Sequence, residues 1–465
     1  MANTVISRTI VAPTDGKKHT ISMWIKRASK KLTAEETLVG VESGNTIELI
    51  KFGSNGKLYW YTRDAAGNAA ESNLATKFID SSSWYHFVFA YDSTQGSAAN
   101  QKKVWVNGVQ HTWENEASVQ SNAIAGTQTT GITYGYGREG GGTSYYFDGL
   151  MSHVHHIDGT CYQASDFGST DATTGEWKLN TSPTVTYGNN GHWILKDGNV
   201  LTDSSTNSNN FSTGSGSVTH TEDCPSNNFC TLNPHTSHSF ANKTTELEYL
   251  LASGNTSFST DGNNSYKQMA YGTLGVTKGK YYWEQRVNDA TYYLSGVCYE
   301  DLITTTNNDY WDDSRTLAVA IHKSTGTGYL GVQAKASQTI SGNIGLSDGD
   351  IMMFALDMDN YRFFAGKNGT WFESGDPTTS TGDLLQISNI STIGTGYINS
   401  GEFVFPFVWD SSSSQATSLE YNFGNGTFAN AQISGTLYPG ADGKGKFKYQ
   451  PPTGYSCLST KGLNN

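Results

Sequence analysis

The 465-residue sequence predicts an all-β protein built from antiparallel β-sandwiches, and three observations support this prediction. Charged residues make up only 15% of the chain, whereas aromatic residues reach 12% and glycine occurs 51 times. Aromatic side chains suit pleated surfaces, and glycine and asparagine suit the turns between strands. Apolar and polar residues alternate along many short segments, and long helical runs of Leu, Ala, Glu and Lys are nearly absent.

The first predicted domain spans residues 1–180 and consists of alternating segments separated by Gly, Asn, Asp and Ser. HTISMWIKR and KLYWYTRD show this alternation and predict two strands. In WYHFVFAYD, residues 84–92, both strand faces are apolar, so we expect this strand to lie between two layers. VWVNGVQ predicts a strand, a turn at Asn107-Gly108 and a returning strand.

A connector is predicted for residues 181–244. From Thr202 to Thr221, 17 of 20 residues are Ser, Thr, Asn, Gly or Asp, which by composition alone is typical of a flexible linker. Phe211, Phe229 and Leu232 are the side chains that we expect to attach this segment to the flanking domains.

The second predicted domain spans residues 245–450, and residues 451–465 are predicted as a C-terminal tail. Its clearest signal is DGDIMMFALDMDNYRFFAGKNGTWF, residues 348–372. Alternate apolar residues from Met352 to Met358 predict one strand, and Asn368-Gly369 predicts a tight hairpin turn. We expect this hairpin to build the sandwich and to carry no chemistry.

The first domain resembles the concanavalin A-like, laminin-G-type jelly roll. The resemblance rests on the strand-NG-strand unit followed by YYFDGLMSHVHHIDGTCYQASDFGSTDATTGEWKLN, residues 145–180. The spacing of IDG, DFG, TTG and W is similar to modules in structural proteins of tailed bacteriophages, especially marine ones. DSSTNSNNFS followed by EDCPSNNFCTLNP resembles a recurrent connector in the same proteins, which implies a mostly ordered, extended segment.

The second domain resembles the SPRY family, whose fold is also a concanavalin A-like sandwich. GVTKGKYYWEQRV (275–287), SGVCYE, GYLGVQ, the hairpin and FPFVWD…TSLEYNFG occur in that family's order. The positions that match its motifs are Trp283, Glu284, Gly331, Asp350 and Asn422-Phe423-Gly424. The resemblance covers nearly the whole chain and implies two concanavalin A-like antiparallel β-sandwiches, or jelly rolls, joined by an extended connector.

Charge and leader signals limit the partners and the compartment. The net charge of −12 disfavours nucleic acid, because an acidic surface repels phosphate. No apolar run approaches the ~18 residues of a membrane helix, and MANTVISRTIVAPTDG lacks a signal peptide's apolar core. We therefore expect cytosolic synthesis, and the resemblance to phage proteins implies assembly into a virion in the host cytoplasm. Cys224 and Cys230 are close enough in sequence to pair, but a cytosolic origin disfavours a disulfide.

No catalytic residue is predicted. Glucanases that share this fold place carboxylates on alternate strand residues, in a pattern like E-x-D-x-x-E, and the chain has no such run. Asp357 and Asp359 are two residues apart, but they enter the Met358-Asp359-Asn360 turn, so we interpret them as turn residues. Asp312 and Asp313 are adjacent and would diverge on a strand.

No metal site is predicted either. His153 and His155 in HVHH share one strand face, but a zinc site needs three or four ligands and a third is not evident. GREGGGTS, residues 137–144, is glycine-rich but lacks a P-loop Lys-Ser/Thr and a following helix. No cofactor is therefore expected. A calcium site is an open alternative, because laminin-G folds can bind one calcium ion with loop carboxylates and carbonyls. The sequence does not identify its ligands.

A ligand-binding site is predicted in the polar loop YEDLITTTNNDYWDDS, residues 299–314. Tyr310 and Trp311 offer aromatic faces to sugar rings, and Asn308 and Asp312 offer hydrogen bonds to sugar hydroxyls. The alternative is that Trp311 packs under its own loop. By analogy with SPRY proteins, which bind partners through loops at one end of the sandwich, WDSSSSQATS (409–418) is a second candidate.

These observations predict a non-enzymatic structural protein of a tailed phage, a tail-fibre or surface-fibre component that contacts a host-surface glycan or receptor. Expected partners are other virion proteins and further copies of the chain, a homotrimer being favoured because symmetric copies multiply weak contacts. The first alternative is a capsid-decoration or appendage protein without a receptor role, which the lack of an evident anchoring coiled coil or stalk favours. A polysaccharide-degrading tailspike is the second alternative.

Overall fold

The computed structural model describes most of the chain, namely residues 3–28, 34–138, 140, 144–196, 201–234, 239–240, 250–260, 267–290, 293–299, 317–324, 327–334, 338–382, 385–386, 403–410 and 416–464. The chain divides into two compact units: unit 1 comprises Met1–His220 with Cys224–Ser226, and unit 2 comprises Thr221–Asp223 with Asn227–Asn465. Helical segments in the described residues are short, namely α1 (Ala98–Gln101) and the 3-10 turns Gly126–Gln128, Ala164–Asp166, Phe372–Ser374 and Gly462–Asn464.

Unit 1 is an antiparallel β-sandwich. Its strands are β1 (Val5–Thr9), β2 (Lys18–Arg27), β3 (Glu36–Ser43), β4 (Thr46–Phe52), β5 (Lys57–Arg63), β6 (Ala69–Lys77), β7 (Tyr85–Asp92), β8 (Lys102–Val106), β9 (Val109–His111), β10 (Thr133–Tyr136), β11 (Gly149–Asp158), β12 (Gly168–Thr170), β13 (Trp177–Leu179), β14 (His192–Ile194) and β15 (Ser212–Ser215). Within the described residues, one sheet has the order β15-β1-β10-β3-β4-β5-β6 and the facing sheet has the order β14-β11-β2-β7-β8-β9, while β12 pairs with β13.

Strand β7 confirms the expectation drawn from its two apolar faces. Phe87 and Phe89 belong to the core between the two large sheets. Val88 and Ala90 point the other way and pack in a second cluster with Phe167. The second layer is thus supplied by residues that follow β11, and both faces of the strand are buried.

The predicted connector is ordered by its own polar residues in its first half. The Asp203 carboxylate accepts hydrogen bonds of 2.8 Å from the backbone amides of Trp193, Ser205 and Asn209. The amide of Asn207 donates to the backbone carbonyl of Gly191 at 2.9 Å. Because these side chains close local loops, a composition typical of linkers here gives a fixed structure.

The apolar residues of the connector are buried, as expected. Phe211 packs in the core of unit 1. Phe229 and Leu232 pack in two clusters of unit 2. The structure therefore divides residues 181–244 between the two units, and the boundaries at 180 and 244 stay a prediction.

Unit 2 is a second antiparallel β-sandwich, so the predicted fold class is confirmed. Its strands are β16 (Ser239–Phe240), β17 (Leu250–Ala252), β18 (Ser257–Ser259), β19 (Lys267–Tyr271), β20 (Lys280–Ala290), β21 (Tyr293–Tyr299), β22 (Leu317–Ser324), β23 (Thr327–Ala334), β24 (Gln338–Asn343), β25 (Ile351–Asp357), β26 (Arg362–Lys367), β27 (Thr370–Trp371), β28 (Leu385–Gln386), β29 (Val404–Asp410), β30 (Thr417–Asn422), β31 (Thr427–Phe428), β32 (Ala431–Gln432) and β33 (Ser456–Cys457). In the described part of the unit, one sheet has the order β16-β19-β29-β21-β22-β23-β24 and the other has the order β17-β18-β30-β20-β25-β26-β27.

The hairpin at 348–372 forms where the sequence predicts it. Met352 and Phe354 point into the sandwich core, and the turn residues Asn368 and Gly369 have φ values of 50° and 90°. Met353, on the opposite face of β25, is also buried, in a separate cluster with Phe447. The hairpin is therefore covered on both faces, like β7.

The end of the chain belongs to unit 2. Strand β33 pairs in parallel with β20, and Tyr455, Cys457 and Leu458 are buried. The predicted C-terminal tail, residues 451–465, thus contributes apolar side chains to the packing of the unit. No helix in the described part of the chain has the length and apolar character needed to cross a membrane.

Candidate functional site

The predicted ligand-binding residues Asn308, Tyr310, Trp311 and Asp312 lie outside the described residues. The second candidate segment, 409–418, is described only at its ends. Trp409 and Asp410 are buried at the end of β29, and Thr417 and Ser418 begin β30. Strands therefore occupy both described ends of this segment.

Asp357 and Asp359 are arranged as turn residues. The fully buried Asp357 carboxylate accepts hydrogen bonds from the backbone amides of Asp359 and Asn360, at 3.1 and 3.0 Å, and pairs with Lys280 at 2.8 Å. Asp359 accepts a hydrogen bond of 2.7 Å from the amide of Gly279. These bonds explain both residues: Asp357 ends β25 and accepts from the turn amides, and Asp359 lies in the turn that the sequence predicts.

His153 and His155 do not share one face of a regular strand. The pairing of β11 with β2 is irregular between Ser152 and His155, and His153 has a φ of 47°. His155 stacks on Trp193 at 4.8 Å between ring centroids, and its Nδ1 lies 3.0 Å from the Tyr187 hydroxyl. Among the described residues, no group of three His, Cys, Asp or Glu side chains is placed to hold a metal ion.

The neighbouring His156 belongs to a buried polar cluster in the core of unit 1. Its Nε2 lies 3.0 Å from the Gln128 amide nitrogen, and its Nδ1 lies 3.0 Å from the Tyr134 hydroxyl. The Tyr136 hydroxyl lies 2.8 Å from Nε2 of His192. Burial lowers the pKa of His156 well below its usual value and that of His192 to about 3, so both rings are neutral at pH 7.

A groove on the surface of unit 2 is the better candidate for a binding site. It has a volume of about 430 Å³ and is lined by Met353, Gly369, Trp371, Thr436, Tyr438, Lys448, Tyr449 and Gln450. One border is the end of the 348–372 hairpin. The other is the segment 436–450, which folds back on itself through two backbone hydrogen bonds between Tyr438 and Phe447, of 3.0 and 2.9 Å.

Glycine at position 369 lets the two borders approach each other. Gly369 has a φ of 90°, and a Cβ there would lie 3.2 Å from Cδ1 of Tyr449. The Tyr449 ring therefore packs directly against the hairpin turn.

A buried carboxylate fixes the backbone of the 436–450 segment. Glu284 on β20 accepts hydrogen bonds from the amides of Lys448 and Tyr449, at 2.9 and 2.8 Å. It also accepts from the Asn422 side chain and the Tyr282 hydroxyl, both at 3.0 Å. Burial raises the pKa of Glu284 to about 7. With four donors around it, this side chain holds the groove wall in one position.

Three aromatic side chains line the groove and keep part of their surface in solvent. Trp371, Tyr438 and Tyr449 are all half-buried. Trp371 packs edge-on against Tyr282 at 6.3 Å, and Tyr282 packs edge-on against Phe447 at 4.9 Å. The aromatic surface of the groove is therefore supported by a second layer of rings.

The groove combines flat apolar surfaces with hydrogen-bonding groups. Thr436, Lys448 and Gln450 also line the groove and carry a hydroxyl, an ammonium and an amide group. Sugar rings present C–H faces that stack on aromatic rings and hydroxyls that bond to such polar groups. None of the lining residues is Asp or Glu, so the groove lining lacks the carboxylate pair that glycoside hydrolysis uses.

Sequence reasoning missed this groove. The hairpin ending in Trp371 is predicted, but no sequence pattern indicates that its end borders a groove, and the expectation that it carries no chemistry stays a prediction. The other border lies in GTLYPGADGKGKFKYQ, residues 435–450, where Tyr438 and Tyr449 stand among Gly, Pro and Lys. Aromatic residues in such a turn-rich segment are a signal for an exposed aromatic surface.

A second depression lies on unit 1, with a volume of about 390 Å³, and includes part of GREGGGTS. Its glycines are explained by close backbone approach. A Cβ at Gly40 would lie 2.1 Å from the carbonyl oxygen of Arg138, and one at Gly135 would lie 2.4 Å from that of Ile6. This trough therefore results from tight packing of the sheet and carries no evident ligand chemistry.

The fold of the first unit agrees with a known family. Residues 4–164 match the family model Laminin_G_3, described as the concanavalin A-like lectin/glucanases superfamily. Residues 4–164 form a concanavalin A-like domain. No curated protein sequence matches the chain.

Two solved structures are among those that match parts of the chain. The SPRY domain of human HERC1 is 14% identical, with 41% of this chain and 96% of that chain covered and a TM-score of 0.28. A heptameric SAP-like pentraxin from Limulus polyphemus is 15% identical, with 38% and 86% covered and a TM-score of 0.28.

Proposed function

We propose that the protein is a non-enzymatic structural component of a tailed-phage virion, in a tail fibre or surface fibre, and that it contacts a glycan on the host surface. The observation that carries the proposal is the groove of unit 2, where Trp371, Tyr438 and Tyr449 lie beside polar side chains. The concanavalin A-like domain and the resemblance of nearly the whole chain to phage modules support the same assignment.

Multiple copies strengthen such a contact. Stacking one ring on an aromatic side chain contributes about 1–3 kcal/mol, on the scale measured for nucleic-acid bases. One groove would therefore bind weakly, and several copies on one virion would hold a cell through avidity. We propose a homotrimer, or attachment to a symmetric platform of other virion proteins.

Binding of the purified chain to host cells tests the proposal. Trp371→Ala and Tyr449→Ala should each reduce binding about tenfold or more, because each removes a stacking surface. Tyr145→Ala is the matched control, since Tyr145 is 42% exposed on unit 1 and does not line the groove. The control should bind like the wild type, and all three variants should keep the strand content of the parent.

The predicted loop is tested in the same assay. If Trp311→Ala reduces adsorption and the groove variants do not, the contact lies in residues 299–314 and the groove is not the site. If no variant changes adsorption, but particles that lack the protein lose integrity, a capsid-decoration role is the better answer. Release of reducing ends from host polysaccharide, abolished by changing Asp357 or Asp359, would contradict the non-enzymatic assignment.

A further inference from the structure

We infer that the groove of unit 2 binds an acidic glycan, whose carboxylate is held by Lys448 while its ring stacks on Trp371 and Tyr449. This inference rests on the proposed function and adds the chemical class of the ligand. The inference specifies the charge of the glycan, whereas the proposed function requires only that a glycan is bound.

The net charge of −12 repels anions from the surface as a whole, but the described lining of the groove is positively charged, and this local charge carries the first step. Lys448 is the only charged residue among the described residues that line it. Two nearby lysines are already paired with carboxylates: Lys367 with Asp350 at 3.3 Å, and Lys446 with Glu222 at 2.6 Å. Within the described residues, Lys448 forms no ion pair, so its positive charge is available to a ligand.

The geometry of Lys448 carries the second step. Its Nζ donates one hydrogen bond, of 3.0 Å, to the backbone carbonyl of Ser434. An ammonium group has three N–H donors, so two remain for a ligand. The carbonyl fixes the position of the side chain, and Glu284 fixes the backbone of the same residue at 2.9 Å. A cationic residue held at both its backbone and its side chain is suited to a charge-assisted bond with a carboxylate.

The neighbouring side chains carry the third step. Thr436 and Gln450 can bond to sugar hydroxyls, and the rings of Trp371 and Tyr449 supply the stacking surface. A uronic acid residue presents a C–H face, hydroxyls and one carboxylate on a single ring. The groove offers a matching group for each of these features.

The test uses a panel of uronate polymers, including polygalacturonate and alginate, each compared with its carboxyl-reduced form. The wild-type chain should bind at least one polymer about tenfold more tightly than the reduced form of that polymer. Lys448→Gln should abolish that preference, so that the acidic and the reduced forms bind with equal affinity. Lys444→Gln is the matched control, because Lys444 is exposed on the same segment but does not line the groove.

Three results would overturn the inference: equal affinity for acidic and reduced forms across the panel, an unchanged preference in Lys448→Gln, or no binding to any polymer of the panel. Binding of the wild type to host cells separates this failure from that of the proposed function. If cell binding persists and still depends on Trp371, the proposed function stands and only the acidic ligand is wrong. If cell binding also fails, the proposed function fails with it.

Discussion

Asp357 shows how a single carboxylate organises the hairpin that leads to the groove. It is fully buried and accepts hydrogen bonds from the turn amides, from the Asn360 side chain at 2.8 Å and from the Ser380 hydroxyl at 2.8 Å. These donors and Lys280 hold the pKa of Asp357 below its ordinary value, against the opposing effect of burial. The residue is therefore ionised at neutral pH and structural in its contacts.

Asp357→Ala should lower the free energy of unfolding of unit 2 by about 3 kcal/mol, because it leaves several part-buried donors and Lys280 without their acceptor. Asp359→Ala removes one hydrogen bond at an exposed position and should cost about 1 kcal/mol. Urea denaturation of both variants checks the difference. Equal losses would contradict the structural role assigned to Asp357.

At the level of elements, local signals predict more of the fold than of the candidate site. The hairpins at Asn107-Gly108 and Asn368-Gly369 are predicted because their strands and turns are adjacent in sequence. The irregularity in β11 is not predicted by the sequence, because the alternation in HVHH gives no sign of the positive φ at His153. The groove joins Gly369 to Tyr449, a contact between distant segments that no local pattern reveals.

Gly108 lies where residues 168–179 cover the outer face of the sheet that contains β7. Its φ is 84°, and a Cβ there would lie 2.4 Å from Cε3 of Trp177. Trp177 in turn stacks on His86 and donates a hydrogen bond of 2.9 Å to its Nδ1. Residues 168–179 are therefore held against the sheet at a place where only glycine fits.

Gly108→Ala should displace Trp177 and raise hydrogen exchange in residues 168–179. Gly44→Ala is the matched control, because Gly44 also has a positive φ, of 59°, but has no atom within 4 Å of its added Cβ. The control should cost roughly 1–2 kcal/mol of backbone strain and leave exchange in residues 168–179 unchanged. Similar exchange in the two variants would show that Trp177 does not fix this segment.

At the scale of the whole molecule, the two units should respond to pH in opposite directions. In unit 1, burial lowers the pKa of His86 and His192 to about 3 and that of His155 and His156 well below the usual value of 6.5. Between pH 6.5 and 3 the unfolded state binds more protons, so unit 1 loses stability as the pH falls. Each such histidine changes the free energy of unfolding by about 1.4 kcal/mol per pH unit between its folded and unfolded pKa values.

Glu284 acts in the opposite sense in unit 2. Its pKa is about 7 when folded and 4.5 ordinarily, so the folded state binds more protons between these values. This group therefore lowers the stability of unit 2 as the pH rises from 4.5 to 7. Exchange measured in urea at pH 5 and 7, corrected for intrinsic rates, should show unit 1 stabilised at pH 7, and Glu284→Gln should remove the opposite trend in unit 2. Unit 1 equally stable at both pH values would contradict the account.

The purified chain should form a homotrimer, because a weak single groove requires several copies to hold a cell. Light scattering should give three times the chain mass. A monomer in solution that also occurs as isolated single copies in virions would count against this prediction.

The most direct test of the central claim is to locate the protein in intact phage particles by immunogold electron microscopy, with antibodies raised against the purified chain. We expect label on tail fibres or surface fibres, and we expect fragments of the antibodies to block adsorption to the host. Particles without label, or labelled capsids that adsorb normally in the presence of the fragments, would contradict a host-contacting fibre role.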